Sequence, residues 1–124
     1  MEFVLGFAVA LVRPHTVGER KEGRRRGKGK RISRDEVLDE FCEDGEIWAA
    51  VRRLGPDRFP TLFRLDSHSS HTFDSYWIEL MLAEIDRIEG SGLTAAESEI
   101  FVKLRNMGKS CLLEGSLVMR FTGD

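Results

Sequence analysis

The sequence predicts an α+β fold: a small mixed or antiparallel sheet of about three to four strands, with about four helices packed mainly on one face. Three observations predict it. Short alternating apolar runs stand at both ends of the chain, at residues 3–12 and 117–121. Apolar residues recur at helical spacing through the middle. Helix-start signals and glycine breaks separate these segments. The 124 residues have room for one domain, 1–124, with a single modest core. A charged share of 32% beside 41% hydrophobic residues fits a folded, water-facing chain rather than a disordered or membrane-embedded one.

In the first run Phe3, Leu5, Phe7, Val9 and Leu11 alternate with Val4, Ala8, Ala10 and Val12. That is the pattern of a strand buried on both sides. A membrane helix needs about 20 apolar residues, so no membrane span is expected. Glu2 stands where a secretory signal carries positive charge. Ala8 and Ala10 do match the small-residue spacing of a cleavage site, so a signal segment is one alternative. A start assigned too early is the other.

Residues 20–34, RKEGRRRGKGKRISR, hold nine basic residues and one acidic one. Residues 20–31 contain no apolar side chain to bury, so 18–32 is expected to be a basic flexible loop or linker. The alternative is a nucleic-acid arm in which Arg24, Arg25, Arg26, Lys28, Lys30 and Arg31 release counterions from phosphates. No aromatic residue is interleaved, so the arm offers bases no stacking platform.

The remainder is acidic. Residues 35–124 hold nine Lys/Arg against eighteen Asp/Glu, a net charge of −9. Ser33 and Glu36 have capping-box spacing. Val37, Leu38, Phe41 and Cys42, then Ile47, Trp48, Val51 and Leu54, follow a helical stripe interrupted at Gly45 and ended by Gly55-Pro56. One kinked helix or two short ones are expected. FPTLFRL at 59–65 reads as a strand, with Pro60 near its start on an edge.

Asp74 or Ser75 caps the next helix, with Ile78, Met81, Leu82, Ile85 and Ile88 inward. Gly90-Ser91-Gly92 breaks it. Thr94 and Glu97 form a second capping box, opening a helix with Ile100, Phe101, Leu104, Met107 and Cys111 inward. The short glycine-rich link sets these two helices antiparallel. The last strand turns Leu117, Met119 and Phe121 to the core.

Chemical motifs are sparse. Asp66, His68 and His71 lie in LDSHSSHTFDS, and two His with one carboxylate can hold zinc or iron. Each residue there also has a local use in a polar turn, and the turn is the reading adopted. No G-x-S-x-G elbow, dinucleotide fingerprint, P-loop or CxxC pair is present. Cys42 and Cys111 fall on the expected helical stripes and read as buried free thiols of a reducing, cytoplasmic compartment, with a disulfide as the alternative for an exported chain. Neither catalysis nor a cofactor is expected.

Phe59, Pro60, Leu62, Leu65, Asp66, Thr72, Phe73, Glu84, Arg120, Phe121, Gly123 and Asp124 make up a pattern: F-P-x-L, L-D, T-F, an inner Glu and a closing R-F-x-G-D. In this half of the chain the sequence resembles a group of small uncharacterised bacterial proteins. The resemblance implies an α+β fold and residence beside toxin or defence genes. It implies no activity, and the group holds other residues at the positions of His68 and His71.

These readings converge on a small non-catalytic binding module, of immunity type or otherwise neutralising a basic protein partner. Its candidate surface is the acidic set Asp35, Asp39, Glu40, Glu43, Asp44 and Glu46. The alternatives are a nucleic-acid-associated protein using residues 20–34, and a metal-dependent enzyme using His68 and His71.

Overall fold

In the computed structural model, residues 6–14, 35–66, 68–88 and 92–123 are described. The basic stretch 18–32 and Ser33 lie outside them. The strands are β1 (Ala8–Arg13), β2 (Glu36–Cys42), β3 (Ser70–Phe73) and β4 (Val118–Thr122). The helices are α1 (Glu46–Leu54), α2 (Ser75–Ile88) and α3 (Ala95–Leu113). The fold is α+β, with one antiparallel sheet in the order β2-β1-β4-β3. Among the described residues three helices stand where about four were expected.

The alternation in the first and last strands sets the core. Val9 lies opposite Phe121 and Leu11 opposite Met119, so these four share a face. Phe73, opposite Met119, joins them from β3. All five are buried against Ile78, Met81 and Ile85 of α2 and Ile100, Leu104 and Met107 of α3. Burying side chains of this size stabilises by roughly 1.5–3 kcal/mol each. Phe121 sits between Phe7, at 6.1 Å edge-on, and Phe73, at 4.9 Å. The opposite sheet face carries buried Val12 together with Ala8, Ala10, Val118, Arg120, Thr122, Ser70 and Thr72, which are half-buried or exposed.

The helical stripes of α2 and α3 hold as expected. Thr94 and Glu97 form the capping box: the Glu97 N–H donates to Thr94 Oγ1 (3.1 Å), and the Thr94 N–H donates to Glu97 Oε1 (2.9 Å). Asp74 Oδ1 accepts from the Trp77 N–H at 3.3 Å, capping α2. Gly108 lets the two helices close up, since a Cβ there would lie 3.0–3.4 Å from Leu82, Met81 and Ile78.

Two elements differ from expectation. The helix expected from residue 35 is a strand in its first half: β2 pairs along β1 from Ala8↔Cys42 to Arg13↔Glu36. Only α1 is helical. The ladder to a distant strand outweighs the local i, i+4 pattern of Val37, Leu38, Phe41 and Cys42. Residues 59–65 are not a strand but a turn containing a 3-10 helix at Leu62–Arg64. Buried Glu84 of α2 accepts from the N–H groups of Thr61 (2.9 Å) and Leu62 (3.3 Å), meeting the donors a ladder would have used. Among the described residues no helix is long and apolar enough to cross a membrane.

Candidate functional site

The sheet has two edges, β2 and β3, and each carries a candidate surface. At β2 the residues Glu36, Val37, Leu38, Asp39 and Glu40 are all exposed in sequence. A β-bulge at Leu38 interrupts the ladder, because Leu11 pairs Asp39 while Val12 pairs Val37. Val37 and Asp39, two residues apart, therefore stand on opposite sheet faces, and Asp39 and Glu40 alternate as strand neighbours do. Asp39 Oδ1 accepts from the Glu40 N–H at 2.9 Å. Among the described residues neither Asp39, Glu40 nor Asp44 is paired with a cation. Glu46 Oε1 accepts from the Asp44 N–H at 2.7 Å.

Two members of the expected acidic set have other work. Asp35 is bound to Arg120 at 2.7 Å. Glu43 is buried, which removes it from the surface. Its Oε1 accepts from the N–H groups of Gly45 (3.1 Å) and Ile47 (2.8 Å), and its Oε2 from that of Phe7 (2.6 Å). The carboxylate thus caps α1 and ties it to the residue before β1. Burial pushes the Glu43 carboxyl upward, and the donations from Ile47 and Phe7 pull against that shift. A Cβ at Gly6 would lie 1.8 Å from the Glu43 carbonyl oxygen, so the chain passes too close here for any side chain.

The histidines separate. His68 is in a turn, and its N–H donates to Asp66 Oδ1 at 2.9 Å. The Ser69 hydroxyl donates to Asp66 Oδ2 at 3.1 Å. These two donors hold the Asp66 carboxyl below the ordinary range. His71 is not in a turn but on β3, where its Nε2 accepts from the Asp66 N–H at 3.0 Å. Among the described residues no three His, Cys, Asp or Glu side chains are grouped to hold a metal ion.

The second edge carries a cleft that the sequence did not disclose. It encloses about 270 Å³ and is lined by Thr61, Arg64, Leu65, His71, Thr72, Phe73 and Trp77. The Arg64 guanidinium stands over the Trp77 ring, 5.2 Å from its centroid. Arg64 and Trp77 are thirteen residues apart in different elements, and no local periodicity joins them.

The cysteines also differ from expectation. Cys111 is buried, and burial pushes its thiol up to about 11. Cys42 is exposed, because it ends an edge strand rather than lying on a helical stripe. Arg24, Arg25, Arg26, Lys28, Lys30 and Arg31 lie outside the described residues. No protein-family model, curated protein or solved structure matches the chain.

Proposed function

We propose that this protein is a non-catalytic binding module whose β2 edge meets a basic protein partner, such as a nuclease-type toxin domain. One observation supports the reading above others: five consecutive exposed residues of an edge strand combine Val37 and Leu38, which are 50% and 40% exposed, with Asp39 and Glu40, and with Glu36, which is held by Arg13. Unpaired acids steer a cationic partner and fix its orientation, and neighbouring aliphatics give it area to bury. The bulge and the charges disfavour plain addition of another strand, so side chains carry the recognition. The working set is Asp39, Glu40 and Asp44 with Val37 and Leu38.

The test uses a catalytically inactivated basic nuclease domain. Association is followed as salt is raised, with the native chain and with Asp39→Lys plus Glu40→Lys. The native chain should associate fast at low salt, and the double reversal should slow association about tenfold or more. Leu38→Ala should mainly speed dissociation. Association that ignores both salt and charge reversal would remove the basis for the reading.

A further inference from the structure

We propose that the cleft at the opposite edge of the sheet binds a short extended peptide carrying a carboxylate, which lies along the free edge of β3. The site is separate from the acidic edge, since β2 and β3 are the two ends of the strand order.

The cleft touches three consecutive residues of β3: His71, Thr72 and Phe73. Successive strand residues face opposite sides of a sheet. Phe73 is on the core face and Thr72, opposite Arg120, on the other. A cleft that reaches both faces runs along the strand's edge. One edge is taken by β4, so the cleft follows the other. Among the described residues no strand pairs there. Unpaired N–H and C=O groups on such an edge are a template for an added strand.

The walls set the ligand's chemistry. Arg64 is the permanently charged residue of the lining, and among the described residues no carboxylate pairs with it. Its planar fork matches a carboxylate in two parallel hydrogen bonds. Stacking on Trp77 orients the fork beforehand. The nearby acids are already engaged: Asp66 accepts from His68 and Ser69, and Asp74 caps α2. A volume of about 270 Å³ is small for a free ligand. It suits one or two side chains of a segment whose backbone stays on the strand. The four residues of β3 match about four residues of peptide, at roughly 3.3 Å each.

The experiment uses the full chain, isotope-labelled for amide spectra, and the Trp48→Phe variant, which leaves Trp77 as its one tryptophan. The probe is a pool of capped pentapeptides with Glu at the centre and Val, Ile, Thr or Tyr elsewhere. A pool with Gln at the centre tests the charge. A pool lacking Glu but with a free C-terminus separates a side-chain carboxylate from a terminal one. A pool N-methylated at alternate residues tests strand addition. The Glu pool, the free-C-terminus pool or both should shift the amides of residues 70–73 and the Trp77 emission. Binding should weaken about tenfold with the Gln pool and with Arg64→Ala, and should vanish on N-methylation. Arg64 is exposed, so an unchanged melting temperature shows that the variant folds.

No shift up to about 5 mM peptide would overturn the proposal. So would equal binding of the Glu and Gln pools without any response to a free C-terminus, or indifference to Arg64→Ala. Concentration-dependent self-association abolished by substitutions in β3 would assign the edge to a second copy instead, and would also overturn it.

Discussion

Arg120 of β4 reaches Asp35, just ahead of β2, with Nη2 and Oδ2 2.7 Å apart. β1 runs between those two strands. The bridge therefore spans the central strand on the face that carries Ala10 and buried Val12. Both side chains keep about a third or a quarter of their surface in water. A double-mutant cycle with Asp35→Asn and Arg120→Gln should return a coupling of about 1 kcal/mol or less, shrinking in high salt. A coupling several times larger would mark the pair as a buried anchor.

Glu43 and Asp39 look alike in composition and should behave differently. Glu43→Gln keeps one acceptor oxygen but turns an amide N–H₂ toward a backbone donor. It should cost about 1–3 kcal/mol in urea unfolding. Asp39→Asn, at an exposed site, should stay within about 0.5 kcal/mol. Equal effects would contradict the assigned burial.

The Arg53 to Glu97 pair predicts an acid-dependent loss of stability. Arg53 donates to both Glu97 oxygens, at 3.1 and 2.5 Å. Those donations from Arg53 hold the Glu97 carboxyl below its ordinary 4.5. The folded value is depressed, so the stabilisation is complete above about pH 4.5 and fades as pH falls through the folded value. Glu97→Gln should flatten the stability profile in that acid window. A profile unchanged by the substitution would place the acid response elsewhere.

Phe121 is fully buried between two other rings. Phe121→Ala should cost about 3–5 kcal/mol, measured by denaturant unfolding. A near-neutral result would mean that the β4 faces are reversed.

Zinc should leave the melting temperature unchanged. His71 Nε2 already accepts from the Asp66 N–H, and Asp66 from His68 and Ser69. A bound metal at 100 times its dissociation constant would add about 2.7 kcal/mol. A rise of that kind, lost in the His68→Ala and His71→Ala double variant, would restore the metal reading.

The sequence was most legible where one element's own stripe decides its structure. The buried apolar residues of α2 and α3, the Thr94 cap and the inward face of β4 follow from spacing alone. It was misleading where a distant partner decides. EVLDEFC has helical spacing, and only its pairing with β1 makes it a strand. FPTLFRL becomes a turn through a carboxylate 22 residues away in α2. The same cause hid the cleft, whose Arg64 and Trp77 meet through tertiary packing. Glu43 was read as surface because acids usually are; its three backbone donors come from Phe7 and the α1 entry, which composition does not reveal.

The chain leaves an inner strand at Arg13 and returns to its neighbour at Glu36, and those two side chains are joined at 2.8 Å. A break in the backbone between them would put β1 on a separate short piece. That piece would still bring Phe7, Val9, Leu11 and Val12 to buried positions and still be gripped by ladders on both flanks. The molecule is thereby suited to reassembly from two fragments, with the first piece supplied as a synthetic peptide. Doubling the length of a connection costs only about 0.6 kcal/mol of closure entropy, so an insertion between residues 14 and 35 should leave the melting temperature nearly unchanged. A reporter grafted there would glow or fall silent with the docking of a single strand.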